Sequence, residues 1–307
     1  YAGRTHDIIA NTDCALGVEQ NKEILEIILQ YMRENKIKSY DEKAGKGLIR
    51  HALIRYGFKT KEIMVCLVVN GKKLPKAERL IEKLIQIEGM TSITISPNTR
   101  RDNVIMGDSY EILWGQGYIT DYIGNVKYQI SPLSFYQVNP VQTEILYGKA
   151  LEYAGLTGKE TVVDAYCGTG TIGMIASDKA GKVIGVELNA DAVRDARNNA
   201  KANQIRNIQF YQNDAGKFLV EMAGQGAKVD VVLMDLPRSG STEEFMNSVA
   251  RIGPERIVYV SCNPETLVRD LKYFKKKGYR VSKGVGVDMF PFTDSLEAVT
   301  LLVRQKK

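Results

Sequence analysis

The sequence has few cysteines, few histidines and no long apolar run, and each shortage excludes something. Its four cysteines (Cys14, Cys66, Cys167, Cys262) are scattered over 307 residues without a CxxC pair. That spacing argues against a disulfide framework or a self-contained zinc site, and it fits a reducing, cytoplasmic setting. The two histidines, His6 and His51, are too isolated to be metal ligands. No stretch approaches the ~20 apolar residues of a membrane-spanning helix, so no membrane association is expected. Tyr1 opens neither the basic segment nor the apolar core of a signal peptide. Without an initial Met, the chain is expected to be a processed or truncated piece of something longer. A strong excess of one charge is missing too: 42 Lys and Arg stand against 36 Asp and Glu, a net +6.

What is present is an ordinary globular composition, 44% apolar and 25% charged. At roughly 150 residues per domain the length predicts about two domains. Basic side chains cluster twice: Lys36, Lys38, Lys43, Lys46, Arg50, Arg55, Lys59 and Lys61, then Arg269, Lys272, Lys275, Lys276, Lys277 and Arg280. Either cluster can grip phosphates, because Lys and Arg contacts dominate affinity for nucleic acid. The plainer reading of each is a solvated face.

Residues 19–35 space Ile24, Ile27, Ile28 and Tyr31 on one helical face. Strand-like runs follow at Leu48–Tyr56, Ile63–Val69 and Ser92–Ile95, with a helix from Pro75 through Ile87. Tyr118–Ile130 reads as a hairpin around Gly124-Asn125. This predicts an α+β domain over 1–130. From residue 131 the rhythm changes to a helix over Val141–Tyr153 and strands at Thr161–Ala165, Lys182–Val186, Ile208–Tyr211, Val229–Met234 and Arg256–Ser261, with helices between them. Such alternation predicts an α/β, Rossmann-like domain over 131–307 with a mostly parallel sheet, binding ligands beyond the carboxyl ends of its strands.

After the first of these strands, Gly168, Gly170 and Gly173 satisfy G-x-G-x-x-G, and Glu187 ends the next strand. An acid there can bind ribose hydroxyls, so a nicotinamide- or flavin-dependent oxidoreductase is one reading. An S-adenosylmethionine enzyme is the other, since Asp164 ends the strand and Tyr166 precedes the glycines. Asp214, after the third strand, sits where an acid can receive an adenine amino group. Asp235-Leu236-Pro237-Arg238 follows the fourth, and its alternative role is an acidic cap on the helix near Thr242.

Cys262 comes directly off an apolar strand, with Asn263 a favourable N-cap and Pro264 a favourable first helical residue. Free N–H groups and the positive helix end are expected to lower its pKa and favour a nucleophilic thiolate. Cys66, inside an apolar strand, and Cys167 read as packed residues instead.

Five segments now occur in order: Ser131–Asn139 (SPLSFYQVN), Asp164–Gly170, Asp235–Arg238, Ser261–Pro264 and Phe292–Glu297. Together they resemble the bacterial RNA 5-methyluridine methyltransferases, in particular the 23S rRNA (uracil-5-)-methyltransferase branch, over essentially the whole chain. The resemblance implies a class I S-adenosylmethionine-dependent methyltransferase domain after a smaller, RNA-facing α+β domain. It implies cofactor contacts from Gln137, Tyr166, Thr171, Glu187, Asp214 and Asp235, with Cys262 as nucleophile and Glu297 as proton-abstracting base. Asp235 also suits the uracil edge, and Phe135, Gln137 and Arg238 are candidate contacts to the substrate. The implied partner is 23S rRNA with an unpaired or flipped uridine, or alternatively a tRNA, with no obligate protein partner evident.

Two other readings remain: methylation of an exocyclic amine, disfavoured because Arg238 stands where those enzymes place an aromatic, and an RNA-binding module without catalysis. The sequence also departs from the family. Leu236 replaces the first proline of Asp-Pro-Pro-Arg, and Thr293-Asp294-Ser295-Leu296 precedes Glu297 where histidine is frequent. Cys14 resembles the last ligand of a four-cysteine iron–sulfur site whose other three ligands are absent here, so no cluster can be assembled from this chain. The resemblance places a small RNA-binding TRAM barrel before that site, and the chain is expected to lack it.

Overall fold

The computed structural model describes residues 10–12, 14 and 17–305. His6 and most of the Tyr1–Cys14 segment lie outside the described residues; Cys14 itself is exposed. The chain divides into two compact units, residues 1–122 with 129–134, and residues 123–128 with 135–307.

The first unit opens with α1 (Gln20–Glu34), whose apolar spacing buries Ile24, Ile28 and Tyr31 as the 3.6-residue period predicts. Strands β1 (Ile49–Tyr56) and β2 (Ile63–Val69) pair antiparallel. Helix α2 (Ala77–Leu84) then carries the chain over to β3 (Met90–Pro97), parallel to β2. The short, largely exposed β4 (Glu111–Gly115) completes the order β1-β2-β3-β4. Its pattern, open to solvent at nearly every position, left no apolar alternation to read in the sequence. Arg50 and Arg55 do not join the solvated basic cluster. Arg50 donates to Asn98 O (3.0 Å) and Arg55 to Ser134 O (2.6 Å), while the six lysines around them stay exposed.

The hairpin of β5 (Ile119–Ile123) and β6 (Val126–Ile130) turns at Gly124-Asn125 as expected, with Gly124 at φ +59°. The division between the units passes through it.

The second unit begins with α3 (Pro140–Ala154) and alternates β7 (Thr161–Ala165), α4 (Thr171–Ala176), β8 (Lys182–Glu187), α5 (Ala190–Ala202), β9 (Ile208–Gln212), α6 (Ala215–Gly224), β10 (Val231–Leu236), α7 (Glu243–Ile252), β11 (Arg256–Ser261) and α8 (Pro264–Lys276). It ends with β12 (Tyr279–Val287) and β13 (Glu297–Arg304), two strands that the sequence reading did not anticipate. The sheet order is β12-β13-β11-β10-β7-β8-β9, and only β13 runs against the rest. That antiparallel insertion departs from the 3-2-1-4-5-6 order of the dinucleotide-binding fold, which the G-x-G-x-x-G match alone permitted. The strands bury Val163, Val186, Val232, Met234, Ile257 and Leu302 against the helices, so the carboxyl edge of the sheet sits on a packed base.

Candidate active site

The turn between β7 and α4 uses its glycines for different ends. A Cβ on Gly173 would lie 2.7 Å from Asp164 Oδ2, and one on Gly170 would lie 2.6 Å from the Phe210 ring. Both therefore allow close packing of helix on strand. Gly168, at φ +53°, has nothing within 4 Å where its Cβ would point, so the backbone there faces open space. Asp164 is buried and accepts the Gly173 N–H at 2.9 Å; burial, with Asp235 and Glu187 nearby, pushes its carboxyl up to about 7.

Glu187, at the end of β8, accepts the Gly168 N–H (3.1 Å) and the Asn189 N–H (2.8 Å), one on each oxygen. Each carboxylate oxygen has a further lone pair to offer. Tyr166 takes a left-handed backbone (φ +62°) and packs edge-on against Phe245 at 5.1 Å. Asp214 and Glu187 both act on its phenol. Asp214 is the N-cap of α6, accepting the Lys217 N–H at 2.9 Å. These groups line the carboxyl ends of β7, β8 and β9. Open backbone at Gly168, carboxylates with spare lone pairs and an aromatic ring fit a nucleoside cofactor. Thr171 meets Thr169 (3.5 Å between hydroxyls), and its carbonyl accepts from Tyr128.

Asp235 lies inside β10, one residue before its end, and Thr242 rather than Asp235 caps α7. Burial and the Glu297 carboxylate push Asp235 up to about 7. Tyr147, on the buried face of α3, faces Asp235 and shares a hydrogen bond with Gln137. The sequence reading missed this tyrosine; the signal was a polar-tipped ring one helical turn after Thr143, on the stripe that α3 buries.

Cys262 follows β11, where Asn263 caps α8 by accepting from the Glu265 N–H (3.0 Å) and the Thr266 N–H (3.5 Å), with Pro264 in the first turn. The expected depression of its thiol pKa is not found. Asn263 occupies the N–H groups that were to favour the thiolate. Partial burial, Glu297 and Asp235 raise the thiol above its ordinary value, with Arg238 acting the other way. Cys66 and Cys167 are buried as expected, and burial pushes Cys66 up to about 11.

Glu297 opens β13 and is 6% exposed, so it is not a solvated side chain. Burial raises its carboxyl and Arg238 opposes that shift. Ser261 pairs with Ala298 at the end of the antiparallel ladder of β11 and β13; Cys262 and Glu297 are the next residues along the two strands, close enough for the Glu297 charge to act on the thiol. The structure thus groups Cys262, Glu297, Asp235 and Arg238. Phe135 is 73% exposed, so it is not a core residue.

The loop after β10 is bound to α8. The Arg238 carbonyl accepts from Asn263 Nδ2 (3.1 Å) and Thr266 Oγ1 (3.3 Å), and Arg269 donates to the carbonyls of Ser239 (3.1 Å) and Ser241 (2.8 Å). Asp270, fully buried, accepts from the Ser241 N–H, the Tyr259 hydroxyl (both 2.7 Å) and Arg269 Nε (2.8 Å). Among the described residues no group of three or more His, Cys, Asp or Glu side chains is placed to hold a metal ion. Among them, too, no helix is long and apolar enough to cross a membrane.

A model of the tRNA (uracil-5-)-methyltransferase family matches residues 76–305. An uncharacterised RNA methyltransferase of Caldanaerobacter subterraneus is 43% identical over 305 residues, which cover 99% of this chain and 68% of that protein. Another, from Halalkalibacterium halodurans, is 44% identical over 303 residues, covering 98% of this chain and 66% of that one. The chain thus spans about two thirds of the length of the curated relatives it matches. Among solved structures, the Pyrococcus abyssi tRNA (uracil-54, C5)-methyltransferase in complex with S-adenosyl-L-homocysteine superposes with a TM-score of 0.81 at 30% identity, covering 97% of this chain and 70% of that one. With the sheet order, these matches make the second unit a class I S-adenosylmethionine-dependent methyltransferase fold, and the chain belongs to the tRNA (uracil-5-)-methyltransferase family.

Proposed function

We propose that this protein methylates C5 of an unpaired uridine in 23S rRNA through a covalent adduct of Cys262. The observation that carries this reading is the end of the β11–β13 ladder, which brings the Cys262 thiol within reach of the Glu297, Asp235 and Arg238 charges at one edge. Uracil C5 is a poor nucleophile, and a thiolate adding to C6 overcomes this. The C5–C6 π pair then moves onto C5 and O4, and C5 becomes nucleophilic. Bound S-adenosylmethionine supplies the electrophilic methyl group, held by Gln137, Tyr166, Thr171, Glu187, Asp214 and Asp235.

Glu297 takes the C5 proton once that carbon is substituted, and the C6–S pair returns to Cys262 as the double bond re-forms. Arg238 contributes the positive charge that favours the thiolate. Asp235, held near neutral pKa, hydrogen-bonds the uracil edge in either protonation state. Phe135 and Gln137 border the base. Residues 1–130 form the RNA-facing domain, with the exposed lysines between Lys36 and Lys61 as phosphate contacts. The protein works in the cytoplasm without an obligate protein partner. The 23S rRNA branch rests on the likeness of the five motifs; the tRNA substrate of the Pyrococcus relative favours tRNA as the second reading.

Incubation of the purified protein with rRNA, tRNA and labelled cofactor tests the reaction. Wild type is expected to form 5-methyluridine, Cys262→Ala none, and Glu297→Gln a denaturant-stable protein–RNA adduct. Persistent C5 methylation by Cys262→Ala would overturn the mechanism. Mapping 5-methyluridine in both RNA classes from cells lacking the gene separates rRNA from tRNA.

A further inference from the structure

Because β13 alone runs against the sheet, the connection from β12 to β13, residues 288–296, lies at the same carboxyl edge as Cys262. Phe292 sits within it, 101% exposed, a large apolar side chain with no cover at all. Its backbone is left-handed at φ +64°. Phe290, Pro291, Phe292 and Thr293 form a turn closed by the Thr293 N–H on the Phe290 carbonyl (3.2 Å), with the Thr293 hydroxyl on the same oxygen (2.7 Å). In a turn with proline second and a left-handed third residue, that third place normally belongs to Gly or Asn. A phenylalanine there is both strained and exposed, and neither property helps the fold. Such outliers gather at ligand-contacting sites.

A second observation locates the ligand. Asn139 donates from Nδ2 to the Met289 carbonyl at 3.3 Å, tying the start of α3 to this loop. The segment just before Asn139 exposes Phe135 (73%) and Val138 (72%). Two loops that are bound to each other thus present uncovered apolar side chains beside the Cys262–Glu297 pair. Glu297 itself is buried, so a base reaching it leaves solvent, whereas a base lying on Phe292 stays outside. Residues 288–296 contain Asp288 and Asp294 but no Lys or Arg, so this loop is not built to grip phosphate. Aromatic faces instead take up unstacked bases of single-stranded nucleic acid without regard to sequence.

We propose that Phe292 is a stacking platform for an RNA base adjacent to the reactive uridine. The assignment rests on the uridine-methylating reading given above. It makes Phe292 a contact that holds the strand while the neighbouring uridine turns inward, at the expense of the local fold.

The test uses the full chain and a short single-stranded RNA carrying one uridine with 2-aminopurine on one side or the other. Wild type is expected to change the 2-aminopurine emission in one of the two RNAs, and Phe292→Ala to lose that change and bind on the order of tenfold more weakly. Phe292→Trp restores both. Phe292→Gly raises Tm, since it relieves the left-handed strain, while still losing RNA affinity. The affinity for S-adenosyl-L-homocysteine and the slope of RNA binding against salt stay as in wild type. Equal RNA binding by Phe292→Ala, a lower Tm for Phe292→Gly, or a reduced salt slope overturns the proposal. None of these measurements needs methyl transfer. Phe292-dependent stacking without any C5 methylation therefore sinks the uridine reading, whereas methylation with RNA binding indifferent to Phe292 sinks the platform.

Discussion

Glu297 and Cys262 each stand one step beyond the Ser261–Ala298 pair, and burial together with the Glu297 charge raises the thiol. Arg238 pulls in the other direction on both groups. The Cys262 thiol thus feels a carboxylate and a guanidinium that come from different parts of the chain.

This arrangement has a measurable sign. The rate at which iodoacetamide alkylates Cys262 is expected to rise with pH through the alkaline range, because the thiol is held above its ordinary value. In Glu297→Gln the midpoint falls, since a charge that disfavours the thiolate is gone. In Arg238→Ala it rises. Mass spectrometry of the Cys262 peptide across a pH series reads all three, and midpoints moving together in both variants would contradict the arrangement.

Asp164 makes stability depend on pH. Its carboxyl is pushed from 3.8 up to about 7 in the folded chain. The unfolded chain therefore ionises first, and the contribution of Asp164 is full below pH 3.8 and lost as pH approaches about 7. Asp164→Asn keeps an acceptor for the Gly173 N–H but has no proton to lose. It is expected to flatten the fall in stability between pH 5 and pH 8, read as Tm, by no more than about 3 kcal/mol. An unchanged slope would show that Asp164 is ionised in the folded chain.

The glycines of the β7–α4 turn predict opposite phenotypes. Gly173→Ala drives a methyl to 2.7 Å from Asp164 Oδ2 and is expected to destabilise the unit by about 1–3 kcal/mol. Gly168→Ala meets open space, so its effect on the fold is limited to left-handed strain of about 1–2 kcal/mol. Its methyl enters the cofactor's approach, and calorimetry is expected to show weakened S-adenosyl-L-homocysteine binding. Equal affinity for wild type and Gly168→Ala would place the cofactor elsewhere.

Asp270 is expected to act as a positioning residue. Asp270→Ala leaves the Ser241 N–H and the Tyr259 hydroxyl without their buried acceptor, at about 1–3 kcal/mol for each. The Ser239–Ser241 loop beyond Arg238 is then released. Methyl transfer is expected to slow while S-adenosyl-L-homocysteine affinity holds, and Asp270→Asn should recover part of the rate. A fall in cofactor affinity as large as the fall in rate would refute the positioning role.

Much of this was legible in residue order. Cys262, Asp235, Glu187 and Asp214 each stand at or near the carboxyl end of a parallel strand, and apolar runs announce such strands. Asn263-Pro264 announced a capped helix, and the structure has it. Glu297 obeys no such rule: it begins a strand, and only the family likeness pointed to it. Strand β12 was illegible because its middle positions face solvent; the apolar run of β13 was there to read, but nothing local announces its reversed direction. Tyr147 carries no motif at all.

The sequence by itself determined the alternation of strands and helices, the glycine-bearing turn and the side chains available for chemistry, because these depend on periodicity, capping and backbone freedom within a few residues. The tertiary structure decided which carboxylate faces the thiol, in which direction the thiol pKa moves and which aromatic is left uncovered. Those outcomes depend on one antiparallel strand meeting β11, and on how burial and neighbouring charges sum at a place that no short stretch of chain contains.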